Sequence, residues 1–315
     1  MRPLRDSRDR LGRRQLLRAL LRGGERIGLT TAFLFGVRAL GGGVRVSPGP
    51  ARAVAAPAQP ATPPRPGAPP DKEAASGVTV NPDDPAITAA MVQYPGVTGP
   101  LLGYLSGPRA ADIYPGLLLI HDSQGLTEHF KDIARRLAKA GYVALAADLT
   151  SRSGGVDKLV EPAKITAALQ AIGPPQILQD LNSAVRYLEA RPFVAKSRVG
   201  VIGIGVGGNL IWLLLTSNPD VRSAVAISGA VPSPRVVSTM SAGVLEIYGE
   251  NERRDEAGIT QFDTAMKKAG LPFTVKLEPK AGPNFFDDTN PRYVPDAAKD
   301  AWGMTLDWFS KHLAG

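Results

Sequence analysis

Arg198-Val-Gly-Val-Ile-Gly-Ile-Gly-Val-Gly-Gly-Asn209 is the stretch on which the fold turns. The apolar residues up to Gly203 read as a buried strand. The glycines at 203, 205, 207 and 208 read as a tight turn, and a helix opens near Gly207 and continues through Leu210 to Leu215. The spacing Gly203-Ile204-Gly205-Val206-Gly207 is that of G-x-Nuc-x-G, in which a Ser or Cys stands on a strained strand-to-helix turn with its reactive atom exposed. Here the nucleophile slot holds Gly205, which has nothing to attack a carbonyl with. An ordinary glycine turn satisfies the same pattern. A phosphate-binding turn fits less well, because the glycines are not spaced G-x-G-x-x-G and no suitably placed ribose-binding acid follows the next strand.

Outward from this turn, apolar strand-like runs alternate with amphipathic helical stretches. Gly116-Leu-Leu-Leu-Ile-His121 and Tyr142-Val-Ala-Leu-Ala-Ala-Asp148 bracket a helix over 127–140, whose apolar face carries Phe130, Ile133, Ala134 and Leu137 and whose stop is Gly141. A helix over 167–193, broken near Pro174-Pro175, precedes the glycine turn. Strands at 223–228, 244–248 and 273–277 follow it, with helices over 261–269 and 297–313. The alternation predicts the α/β class: a mostly parallel twisted sheet with helices on both faces and a site at the carboxyl ends of the strands.

Bulk properties narrow the function classes. With 315 residues and 43% hydrophobic content, the chain suffices for one domain of about 230 residues plus an appendage. The absence of cysteine excludes disulfides, thiolate metal sites and a Cys nucleophile. Its net charge of +8 is unevenly placed. Residues 1–70 hold 13 Arg against 3 acidic residues, and the rest holds 24 basic against 26 acidic ones. The body is therefore close to neutral, which argues against nucleic acid as a partner.

Residues 1–55 read as a leader. Gly12-Arg13-Arg14-Gln15-Leu16-Leu17-Arg18 precedes an apolar stretch from Ile27 to Val37, and Ala53-Val54-Ala55 offers a small-x-small cleavage site. The paired arginines resemble a twin-arginine signal, so the expected location is exported, periplasmic or secreted; a disordered basic tail or a mitochondrial-type presequence is the alternative. The apolar stretch is too short to span a bilayer, so no stable membrane anchor is expected. Nine prolines in residues 48–70 make 56–80 a stiff linker, and the folded domain is expected over 81–315.

Several pieces, in order, carry a family resemblance. They are Gln93-Tyr-Pro-Gly, Gly103-Tyr-Leu, Ile120-His-Asp-Ser-Gln-Gly-Leu-Thr127, Asp132-Ile-Ala-Arg-Arg-Leu-Ala138, Gly141-Tyr-Val-Ala-Leu-Ala-Ala-Asp-Leu149, Ile247-Tyr-Gly-Glu-Asn251 and Ala281-Gly-Pro-Asn-Phe-Phe-Asp-Asp-Thr289 with Pro291-Arg-Tyr293 and Asp300-Ala-Trp302. From about Asp84 to Leu313 the chain resembles the dienelactone hydrolase family, which implies an α/β-hydrolase fold. It also implies hydrolysis of small esters or lactones by a Cys or Ser, an Asp and a His. The resemblance puts these three at Gly205, Glu252 and Pro283, so nucleophile and base are replaced and the acid is altered. Proline has neither a proton-transfer group nor an N–H, and a triad without its members retains only weak catalysis. Glu252 is expected as a solvated loop carboxylate. An electrophile pocket survives in backbone N–H groups at Val206 and in the loop after His121, beside Asp122 and Ser123.

Two readings follow. In the first, the protein is catalytically degenerate and holds a small carboxylate, ester or lactone. In the second, it is a working ester or lactone hydrolase with a rearranged site built from His121, Ser123 and Glu252. Ser228 ends a strand at the same face, where it either lines the pocket or, as most strand-end serines do, caps backbone. His129 and His312 are expected to be solvated. His121, Asp122 and Asp148 lack ligand spacing, so neither metal nor other cofactor is expected.

Overall fold

A computed structural model describes residues 79–314. The leader, and the linker up to residue 78, lie outside the described residues. Eight strands form one sheet: β1 (Ile87–Gly96), β2 (Gly99–Pro108), β3 (Tyr114–Ile120), β4 (Val143–Asp148), β5 (Val194–Ile204), β6 (Val221–Ile227), β7 (Gly243–Gly249) and β8 (Phe273–Glu278). Their spatial order is β1-β2-β4-β3-β5-β6-β7-β8. From β4 to β8 every neighbour is parallel, whereas β2 runs antiparallel to both β1 and β4. The sequence pattern does not mark β1 and β2 as strands.

Period-two alternation splits the parallel strands between two cores. Leu118, Ile120, Val199, Val201, Ala224 and Ala226 face one side, where α4 (Pro174–Glu189), α5 (Val206–Leu215) and α6 (Glu256–Ala269) supply Leu181, Val185, Trp212 and Phe262. Leu117, Leu119, Ile202, Ile204, Val225 and Ile227 face the other. There α1 (Glu128–Lys139) and α7 (Pro295–His312) supply Phe130, Ile133, Leu137 and Phe309. The helix expected over 167–193 is two helices, α3 (Pro162–Ala171) and α4. A short α2 (Val156–Leu159) precedes them, and Pro174 starts α4 where a proline is tolerated. Gly141 follows α1 at φ +90°, which favours the stop expected there.

Helix α1 also ties down the start of the body. The fully buried Asp132 carboxylate accepts from the Thr79 N–H and Oγ, the Val80 N–H and Arg136 Nε. Arg135, equally buried, donates to the Val80 carbonyl, the Tyr104 hydroxyl and Glu128. Buried charges persist when their hydrogen-bonding capacity is filled this way. Among the described residues no helix is long and apolar enough to cross a membrane.

Candidate functional site

The strand ends converge at the glycine turn. Ile120 is the register partner of Gly203, Ile204 of Ile227, and Ile227 of Ile247. The loop after β3, the turn at Gly205, Ser228 and the β7–α6 loop therefore leave the sheet along one edge. Gly205 sits at φ 57°, ψ −116°, immediately before α5. That is a backbone conformation which strains a residue bearing Cβ. The flanking glycines are there for space. A Cβ on Gly203 would lie 2.3 Å from the Gly207 carbonyl oxygen, and one on Gly207 would lie 2.1 Å from that of Ile120. At Gly205 the nearest atom to such a Cβ is Asp122 Cβ at 3.4 Å, an ordinary contact. The elbow is intact, and its side-chain position is open.

Beside that opening lies a narrow crevice of about 20 Å³, room for one water. Asp122, Ile204, Gly205, Ile227 and Ser228 line it from the strand ends. His129 and Phe130 line it from α1, and Asn284, Phe286 and Asp287 from the loop after β8. The N–H of Val206 is the first of α5, where a helix N-terminus offers unpaired donors and positive potential. A larger, shallow hollow of about 350 Å³ lies along α7 between Asp296, Lys299, Asp300 and Asp307, away from the strand ends.

His121 is not a base. Its Nε2 accepts from the Leu149 N–H at 3.1 Å, so Nδ1 carries the proton and donates to the Asp122 carbonyl at 2.7 Å. Burial pushes its pKa below the usual range and keeps it neutral. Ser123 is exposed and has no bond to His121. The rearranged His121–Ser123 site is thereby corrected: both ring nitrogens are spent on holding the loop. Asp148 is spent likewise, on the Thr150 N–H and Oγ and the Val156 N–H. Asp122 accepts from the Gln124 N–H, and burial raises its pKa.

Glu252 departs from the expected solvated carboxylate. It is half-buried and accepts from Ser228 Oγ at 2.7 Å and the Gly249 N–H at 3.0 Å. Burial raises its pKa against the lowering pull of Ser228, Gly249 and Arg254. Ser228 in turn caps no backbone group. It stands at φ 57° without being glycine, and its hydroxyl points to the acid slot. Pro283 is exposed, and its neighbour Asn284, at φ 67°, lines the crevice instead.

His129, too, departs from the expected solvated position. It is 2% exposed, with Nδ1 donating to Asp288 at 2.9 Å and Nε2 buried without a partner. Burial opposes ionisation of Asp288, yet His129 and Arg136 outweigh it and hold its pKa down to about 2. Ligand atoms of His129, Asp287 and Asp288 fall within 4.8 Å of one another. Several of their polar atoms are already committed, since Asp287 accepts from the Thr289 N–H and Oγ and Asp288 from His129 and Arg136. The cluster is a hydrogen-bonded anchor fixing the loop after β8 to α1. His312 packs on Trp308, ring centroids 4.0 Å apart, and bonds the Trp308 carbonyl, so it too is less solvated than expected.

The dienelactone hydrolase family model matches residues 101–313. A Methylorubrum extorquens protein whose name assigns it to the carboxymethylenebutenolidases is 30% identical over 250 residues, covering 76% of this chain and 86% of its own length. A similarly named Escherichia coli K12 protein is 27% identical over 76% of this chain and 92% of its own. A Klebsiella pneumoniae structure, titled as a dienelactone hydrolase, superposes with a TM-score of 0.65 at 26% identity over 72% of this chain and 99% of its own. Fold, order of elements and sequence agree, and the chain belongs to the dienelactone hydrolase family.

Proposed function

We propose that this family member binds a small neutral ester or lactone by its carbonyl and does not turn it over through the family's triad. The supporting observation is the elbow itself: its strained backbone and helix N-terminus are kept at Gly205 and Val206, while the side-chain position is empty. Donors at Val206 and in the loop after His121 are backbone groups, so they outlast the loss of side chains. The crevice has room for the carbonyl end of such a compound only, and since Asp122 and Asp287 line it and no Lys or Arg does, a neutral carbonyl suits it better than a free carboxylate. The leader supports export of the folded domain. Titration of the full chain with γ-butyrolactone, followed by amide NMR, tests this reading. The expected result is saturable shifts at Val206 and Ser123 without steady-state hydrolysis. Sustained hydrolysis, or no shifts at millimolar lactone, counts against it.

A further inference from the structure

We propose that Ser228 is a surrogate nucleophile, with Glu252 as its base, and that it takes an acyl group from small activated esters. This rests on the carbonyl-binding reading above. Three observations carry it. First, register places Ser228 beside the empty slot: Ile204 and Ile227 are partners, and Gly205 and Ser228 are the next residues of each strand. Neighbouring strands lie about 5 Å apart, so the hydroxyl stands one strand away from where the family's attacking atom would be. Second, Ser228 holds a left-handed backbone (φ 57°) that is unfavourable for a non-glycine residue, and such strain collects at working sites. Third, its hydroxyl donates to a half-buried carboxylate at 2.7 Å, the contact a nucleophile makes with its base, and Ser228 lines the same crevice as Gly205.

The step balances. Ser228 Oγ bonds to the ester carbonyl carbon as its proton passes to Glu252. The ester C–O bond then breaks, and the departing alkoxide takes that proton back from Glu252, leaving acyl-Ser228, a free alcohol and the carboxylate restored. Burial raises the Glu252 pKa above its ordinary value, which makes the carboxylate a stronger acceptor for the Ser228 proton. A crevice with room for one water has none left for a hydrolytic water once the acyl group is in place, so release is slow and the reaction stops near one equivalent.

The experiment uses the full chain and p-nitrophenyl acetate, with nitrophenolate release and peptide mass spectrometry as readouts. The expected result is a burst near one equivalent with a 42 Da adduct on Ser228, the mass an acetyl group adds by its chemistry. Ser228→Gly, which relaxes the left-handed backbone and so keeps the fold, loses the adduct. Glu252→Gln slows the burst at least tenfold. In the wild type the burst rate falls as pH drops through the raised Glu252 pKa, and in Glu252→Gln that dependence is gone. Lactone binding without an adduct, or an adduct elsewhere, overturns the nucleophile and leaves the carbonyl-binding reading standing. Loss of both adduct and lactone binding in the wild type sinks the two together.

Discussion

Three glycines of one turn serve different physical ends. Gly203 and Gly207 are required by contact: a Cβ at either meets a carbonyl oxygen closer than atoms approach. Gly205 is favoured only by its dihedral, because the space around it accepts a side chain. Gly205→Ala is therefore expected to cost about 1–3 kcal/mol, the scale of a strained backbone. Gly207→Ala is expected to cost more than that or to prevent folding. Urea denaturation of the two variants checks the order, and equal losses would remove the distinction. The empty slots were legible in the sequence because they depend on residue type at a known spacing. The side-chain pairings around them were not. Ser228 and Glu252 are 24 residues apart and His129 and Asp288 are 159 apart, and no local pattern announces either pair.

At the scale of elements, the buried runs of β3 and β4 were plain in the sequence because every residue from Leu117 to Ile120 is apolar and fully buried. The hairpin of β1 and β2 was hidden, since β1 alternates irregularly between exposed and half-buried positions. Strand β7 conceals a different feature. Glu246, within Val244-Leu-Glu-Ile-Tyr248, is fully buried, with both carboxyl oxygens unpartnered; Tyr248 approaches without closing a bond of good geometry. Burial pushes its pKa well above the ordinary 4.5, so the folded chain binds this proton more tightly than the unfolded one. The associated stability is complete below about pH 4.5 and drains away as pH climbs toward the raised value. Glu246→Met is expected to stabilise the protein by about 1–3 kcal/mol at pH 8, with a smaller gain at pH 5. Thermal melts at the two pH values check this, and a gain that grows toward acid would reverse the sign.

Across the whole molecule, one network joins its parts: Thr79 and Val80 hold Asp132, Asp132 holds Arg136, and Arg136 holds Asp288 beside His129 and the crevice. The first described residues are thus connected to the site through α1. Charge divides the chain in another way, with the net positive charge in residues 1–70 and a near-neutral body after it. If the leader is a twin-arginine signal, Arg13→Lys with Arg14→Lys leaves the full chain inside a bacterial host while the native chain reaches the periplasm, as fractionation and immunoblotting would show. Equal distribution of both chains would contradict the export proposal. The proposed function rests on Gly205 and Pro283 standing where an esterase-type centre would carry its attacking atom and proton carrier. Its most direct test is steady-state hydrolysis of a small lactone by four chains: wild type, Gly205→Cys, Pro283→His and the double variant. The account predicts turnover in the double variant alone. Turnover by the wild type, or by Gly205→Cys as fast as by the double variant, would contradict it.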